Sequence, residues 1–336
     1  MKHKYLIAIA LLIDAVAYTA GYGQRNPQFS QFAINNYLIN PAITGIEPYG
    51  DFRLGYRSQW NGVDGAPKTF YASFHSPLGG SNPSQPYNPV NPNARKSISS
   101  YSNNYSVYSH HGLGAFAYAD KIGAFSRTQV QVSYAYHQAL TKKSGLAAGM
   151  FAGINQYRID PDKLDFLDQS DAVLTDDNIS RVSPTLSLGL WYYSRNYYIG
   201  ASLMDVIKKD FDKNYIPNSD LQNQHYLLTS GVKFRVNREF SISGSVLLKW
   251  YDEPTPTVDV AVIGNIMDRL MIGGSLRNLN EFILITRIVA SKHLDFGYSY
   301  DFGYNNFNSF SSGSHEIFVG FKFFNKLGLL CPQHFW

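Results

Sequence analysis

From about Gly50 to Phe324 the chain alternates polar and apolar residues, segment after segment. In one sample, Leu294, Phe296, Tyr298, Tyr300 and Phe302 are apolar or aromatic, and His293, Asp295, Gly297, Ser299 and Asp301 fill the gaps. Successive side chains of a strand point to opposite faces, so a period of two makes one greasy face and one wet face. The pattern predicts strands over Gly50–Gln59, Lys68–Ser76, Gly112–Ala119, Ser126–Gln138, Leu146–Tyr157, Val182–Tyr193 and Tyr197–Asp205. It continues with His225–Val236, Phe240–Tyr251, Thr257–Gly264, Leu270–Arg277, Glu281–Val289, His293–Phe302 and Ser314–Phe324. That makes about fourteen, and a single-chain outer-membrane barrel has an even number. The expected fold is all-β, a transmembrane antiparallel barrel of residues 50–324 with a plug-like segment before it.

Connection lengths test the topology independently. Those after strands 4, 6, 8, 10 and 12 are short, for example Ser194–Asn196 and Ala290–Lys292, whereas those after strands 5, 7 and 13 are long. With both chain ends in the periplasm, short turns face the periplasm and long loops the outside. One link departs from this parity. Residues 77–111, with NPSQPYNPVNPNARKS at their centre, are long and proline-rich, and no helix forms through that proline spacing. They read as a periplasmic insertion or a fold-back into the lumen.

A soluble barrel and a membrane barrel share the same periodicity, so composition has to separate them. Aromatic residues are 15% of the chain, with 25 Tyr and 22 Phe, while charged residues are only 16%, against roughly 25% in soluble domains. Tyr and Phe in such numbers suit a lipid-facing wall and its interfacial girdles. The mean hydropathy of −0.22 excludes a helical membrane protein. The N-terminus points to export: Met1, Lys2, His3 and Lys4 form a basic head, Tyr5–Val16 an apolar core interrupted by Asp14, and small residues follow at Ala15, Ala17, Ala20, Gly21 and Gly23. A cleaved signal of residues 1–23 is expected, with Ala17 as an alternative cleavage site and an outer-membrane destination. The single cysteine, Cys331, leaves no internal disulfide framework and no cysteine-pair metal site.

Candidate chemistry is sparse. Asp160, Asp162, Asp165, Asp168, Asp171, Asp176 and Asp177 cluster in the loop after strand 5, but their spacing matches no EF-hand, and a solvated acidic loop is the simpler reading. Histidines are scattered, no HExxH or GxSxG occurs, and no glycine-rich phosphate loop opens a helix. No catalytic, cofactor or metal site is expected. Nucleic acid is excluded as a partner by a net charge of only +4. Ionisable residues on the polar face are Asp51, Arg53, Arg57, Arg127, Lys233, Arg235, Lys249, Arg277, Arg287, Asp295, Asp301, Glu316 and Lys322. A base facing lipid at mid-depth costs about 2–4 kcal/mol, so the register should turn them into the lumen, where a structural network is expected.

The segment from Gln24 onward carries a more specific signal. Pro27–Gln31 (PQFSQ), Asn40–Gly45 (NPAITG), Arg57–Trp60 with Gly62, and Gly65–Pro67 with Thr69 occur in order. They are followed by DKIGAFSRTQVQVSYAYHQAL from Asp120, LWYYSRNYYIGASL from Leu190, LLKW from Leu247, YSYD from Tyr298, GSHEI from Gly313 and the CP of Cys331 and Pro332. In these motifs the chain resembles the PorP/SprF family of outer-membrane proteins, associated with type IX secretion and gliding motility in Bacteroidetes. The resemblance covers nearly all of the chain after the signal. It implies a non-enzymatic role: docking, delivering or anchoring a large secreted adhesin-like protein through its C-terminal sorting domain, with periplasmic secretion components as further partners. A pore or substrate-selective channel is the alternative, and a membrane-embedded hydrolase trails both. The NPSQPYNPVNPNARKS insertion and the CPQHFW ending depart from the family's plain pattern, and the end of the last strand near Phe324 separates it from Phe335 and Trp336.

Within that frame residues 24–49 read as a plug. Phe29, Phe32, Ile34, Tyr37, Leu38 and Ile39 are too apolar for a free periplasmic tail, and Pro41 stops any helix begun before it. Residues 61–67 make the first surface turn, with Trp60 placed like an interfacial anchor. Phe29, Phe32, Asn40, Pro41, Trp60 and Pro67 are the candidate plug or partner contacts, the folding role being the simpler one for Asn40, Pro41, Trp60 and Pro67. The loop Val206–Gln224, with Lys208, Lys209, Lys213, Asp210, Asp212 and Asp220, offers a mixed-charge docking surface; residues 325–336 form a periplasmic tail.

Overall fold

The period-two segments fold as fourteen strands. These are β1 (Gly50–Ser58), β2 (Lys68–Leu78), β3 (His110–Ile122), β4 (Phe125–Ala139), β5 (Ser144–Ile159), β6 (Ile179–Ser194) and β7 (Tyr197–Met204). The second half comprises β8 (His225–Arg235), β9 (Phe240–Trp250), β10 (Thr257–Ile266), β11 (Leu270–Arg277), β12 (Glu281–Val289), β13 (Leu294–Gly303) and β14 (Ser314–Phe323). In this computed structural model each strand pairs antiparallel with its sequence neighbours, and β1 closes on β14 through nine residue pairs from Gly50↔Phe323 to Ser58↔His315. The cylinder has no free sheet edge, which is what a spanning sheet requires where no water can satisfy backbone groups.

The structure describes residues 29–78, 107–163, 179–207, 224–237, 239–251, 256–303 and 311–325. The export signal, the proline-rich centre of the insertion, Asp165 to Asp177, Lys208 to Asp220 and the tail with Cys331, Phe335 and Trp336 lie outside the described residues.

The distribution of side chains inverts that of a soluble barrel. Val132, Ile154, Leu190 and Val262 are more than half exposed on the outer wall, whereas Arg57, Arg287 and Glu316 are fully buried inside. Leaving one such aliphatic side chain in water instead of burying it costs about 1.5–3 kcal/mol, so the outer wall is built for hydrocarbon. Aromatic residues flank the aliphatic band at both ends. Tyr134 and Tyr136 on β4, Tyr192 on β6, Phe234 on β8 and Phe321 and Phe323 on β14 mark the end where the chain enters β1. Phe70 on β2, Phe125 on β4, Tyr226 on β8 and Trp250 on β9 mark the opposite end, here termed the loop end.

β11 and β12 have the expected limits, while β3, β5 and β6 are longer than the alternation predicts. Their extra residues, such as Arg158 and Ile159 and Ile179 to Arg181, lie beyond the apolar band, where nothing enforces alternation. The β5–β6 ladder has 16 pairs and β6–β7 six, and beyond β7 the Val206 N–H still donates to Leu186 O (2.7 Å). Pro184 lies past the last β6–β7 pair, where the ladder asks for no N–H from it.

Candidate functional site: the filled lumen

Residues 30–46 run inside the cylinder and are buried along their whole length. No long helix forms, because Asn35, Asn40 and Pro41 interrupt it; three single 3₁₀ turns take its place, at Phe32–Ile34, Asn36–Leu38 and Pro41–Ile43. Pro41 opens the third turn rather than only ending a helix, and Asn40 caps it by accepting a 2.9 Å bond from the Ala42 N–H. The segment starts near the loop end. The Ser30 N–H donates to Glu316 Oε2 (2.8 Å), Ser30 Oγ donates to Asp301 (2.5 Å), and Gln31 Nε2 donates to the Glu316 carbonyl (3.1 Å). It then crosses to β6 and β7, where Asn40 Nδ2 donates to the carbonyls of Leu190 (3.0 Å) and Ala201 (3.2 Å), and Ser202 Oγ donates to Ile39 O (2.6 Å).

Glycines on the inner wall make room for this path. A Cβ on Gly112 of β3 would sit 2.9 Å from Gly45 Cα, one on Gly149 of β5 2.6 Å from Pro41 O, and one on Gly189 of β6 2.9 Å from Pro41 Cδ. Three histidines then grip the turn that follows. Nε2–H of His137 donates to Thr44 O (2.9 Å), Nε2–H of His110 donates to Gly45 O (2.9 Å), and His75 Nδ1 accepts from the Gly45 N–H (3.2 Å). The rings of His110 and His137 stack 4.4 Å apart. These histidines look scattered in sequence but meet on one turn. Asn40 ties the segment at three points, so Asn40→Ala should loosen it by about 1–2 kcal/mol. Limited proteolysis should then show earlier cleavage within residues 30–46, and cleavage as slow as in the parent would remove Asn40 from the anchor set.

Most of the expected lumen charges lie on the inner wall in two ion-pair groups. Toward the loop end Arg57 bonds Asp301 (2.7 Å), Glu316 (3.3 Å) and Ser30 Oγ (2.5 Å), and Tyr71 donates to Glu316 (3.1 Å). Arg277 and Lys249 share Asp259 at 3.2 and 2.9 Å. Toward the other end Arg53 forks onto Asp51 (2.9 and 3.0 Å) and donates to Ile34 O (2.9 Å), while Arg287 pairs with Asp295. Back at the loop end, Arg127 pairs with Asp205 (3.2 Å) and stacks over Tyr118 and Tyr157. Arg235 departs from expectation. It is the last residue of β8, exposed at the rim, with Lys233 half-buried two residues before it. Trp60 lies half-buried in the connection after β1, its N–H donating to Ser314 Oγ (3.2 Å), and buried Pro67 accepts from the Gln59 N–H (2.9 Å).

Burial pushes the phenols of Tyr37 and Tyr49 up from their ordinary value, with Glu47 and Asp51 adding to the rise at Tyr49. Both therefore stay neutral, and the Tyr37 hydroxyl lies 2.7 Å from Ser133 Oγ. Between segment and wall, at the loop end, remains a small pocket with about 70 Å³ of space open to water. Phe29, Phe32 and Leu38 line it against Phe116, Leu227 and Leu247, with Arg127, Asp205, His225 and Lys249 at its polar side. Phe29 meets the rings of Tyr71 and Phe116 at 5.3 and 6.3 Å. Among the described residues no group of three or more His, Cys, Asp or Glu side chains is arranged to hold a metal ion. The site is chemically a socket: apolar surface, fixed ion pairs and a strap of the chain itself.

A family model described as "Type IX secretion system membrane protein PorP/SprF" matches residues 22–321. No curated protein matches the chain. Among solved structures it is similar to the toluene transporter TbuX of Ralstonia pickettii, at 11% identity and a TM-score of 0.48, over 85% of this chain and 92% of that one. It is also similar to the outer membrane protein Omp33 of Acinetobacter baumannii, at 9% identity and a TM-score of 0.46, over 83% of this chain and all of that one.

Proposed function

The chain belongs to the PorP/SprF family of type IX secretion system membrane proteins, and on that premise we propose that it is a non-enzymatic docking barrel of the outer membrane. It receives a large secreted adhesin-like protein through that protein's C-terminal sorting domain and delivers it to the cell surface or retains it there. The end of the barrel where the chain enters β1 faces the periplasm and other secretion components, and the end with the long connections after β5, β7 and β13 faces outward, so the strap begins, at Ser30, near the outer mouth of the lumen. The observation that carries this reading is the strap: residues 30–46 lie buried inside the cylinder along their whole length, with a small pocket beside them at the loop end. Phe29 and Phe32 serve the socket directly, while Asn40 and Pro41 fix the strap behind it.

A tagged full chain extracted in detergent from its own cells should retain a large secreted protein, and should lose it when the C-terminal sorting domain of that protein is deleted. Retention unaffected by the deletion overturns the reading. The second reading, a selective channel, draws on buried polar atoms without partners on the inner wall, among them Ser275 Oγ, Ser299 Oγ and Arg277 Nη2. In planar bilayers the docking barrel should stay silent with its strap in place, and steady unitary steps from the intact protein would favour the channel.

A further inference from the structure

The outer wall carries a row of residues in register at the loop end: Ser58, Lys68, Lys121, Ser126, Arg158 and Ser180, each directly opposite the next across β1 to β6. Lys68, Lys121 and Arg158 are exposed and the three serines half-buried. Two residues further in, the matching row is Tyr56, Phe70, Ala119, Thr128, Gln156 and Val182, and the row beyond that is Leu54, Ala72, Ala117, Val130, Ile154 and Pro184. The wall therefore passes from apolar through aromatic and mixed to cationic within five residues along each strand. That is the order in which a lipid presents its chains, its interface and its headgroup.

No carboxylate stands in these three rows. Asp120 beside Lys121 points inward and accepts from Thr69 Oγ1 (2.5 Å), and Asp160 beyond the end of β5 is paired with Lys163. Among the described residues Lys68, Lys121 and Arg158 have no carboxylate partner. Neighbouring strands are about 4.8 Å apart, so Lys68 and Lys121 start side by side, a like-charge cross-strand pair that is unfavourable unless an anion lies between them. On the rest of the circumference the outward described residues near the same end include Tyr226, Trp250, Phe282, Phe302 and His315, with no lysine or arginine among them.

From this we infer that β1 to β6 carry a binding site for the phosphate of a lipid headgroup. Lys68 and Lys121 supply the point charges, Arg158 a planar fork and Ser58 and Ser126 hydroxyl donors. The lipid source follows from continuity: the cations crown an apolar wall that the acyl chains of the same molecule would cover. The site is independent of any secreted partner, since it faces away from the lumen.

The test uses the full chain extracted in detergent and native mass spectrometry of bound lipid. Phosphatidylglycerol and phosphatidylcholine are the paired probes and inorganic phosphate the competitor. Each surface cation is worth roughly fivefold in binding an anionic lipid. The parent protein should prefer phosphatidylglycerol, and the triple variant K68Q/K121Q/R158Q should lose that preference by tenfold or more. K68R/K121R should keep it, and so should K142Q/K143Q/K292Q, which removes three exposed cations from the opposite end. A heat-dependent band shift on gels confirms that each variant is still a barrel. Equal loss in both triple variants, no preference in the parent, or full displacement by inorganic phosphate would each overturn the lipid site.

Discussion

Replacing Arg57 with alanine should destabilise the barrel by about 3–5 kcal/mol, the range for removing one partner of a buried ion pair. Among the described residues Arg57 is the only base within 3.5 Å of Asp301 and Glu316, since Arg277 approaches Asp301 only to 3.9 Å. Without it two buried carboxylates face Ser30 with only the more distant Arg277 as a cation. The loss combines an electrostatic penalty on β13 and β14 with the release of the strap's first anchor, because Ser30 Oγ bridges Arg57 and Asp301. Guanidinium unfolding in detergent, followed by tryptophan fluorescence, reads the effect. Arg57→Lys should recover part of it, since one ammonium cannot reproduce a fork that reaches three oxygens. A loss below about 1 kcal/mol, the level of a surface pair, would show that the network is hydrated and contributes little.

Gly149→Val should expel the strap while leaving the cylinder intact. A Cβ at that position would lie 2.6 Å from Pro41 O and 2.7 Å from Ala42 Cα, and both are backbone atoms that cannot swing aside. Overpacking of this kind costs about 1–3 kcal/mol, a roughly five- to 150-fold shift toward the undocked strap. Residues 30–46 should become protease-sensitive, and the otherwise silent barrel should conduct. Gly244→Val is the control, because it points outward on β9 with nothing within 4 Å of the added carbon. Equal protease sensitivity in the two variants would mean that barrel stability, and not strap docking, had been changed.

The strands were legible because lipid and lumen impose opposite polarity at every second residue, as the limits of β11 and β12 illustrate. Beyond the apolar band that pressure ends, and the tips of β3, β5 and β6 were missed for that reason. The inward turn of Arg53, Arg57 and Asp301 also follows from strand parity. What periodicity could not reveal is which inward residues meet: His75, His110 and His137 belong to three strands, and their convergence on Thr44 and Gly45 depends on the curvature of the closed wall. One signal was available. Gly112, Gly149 and Gly189 all fall on inward positions, where a missing side chain marks the approach of another backbone.

The strap also couples the seam of the cylinder to its filling. Its contacts with β2 to β7 join residues up to 163 apart, as in Ser202 to Ile39, whereas those with β13 and β14 join residues 271 to 286 apart. The second set exists only when β14 lies against β1, because Ser30 reaches Glu316 and Asp301 across that junction. Zipping the two ends of the sheet together and seating the first anchor of the strap are therefore one and the same step.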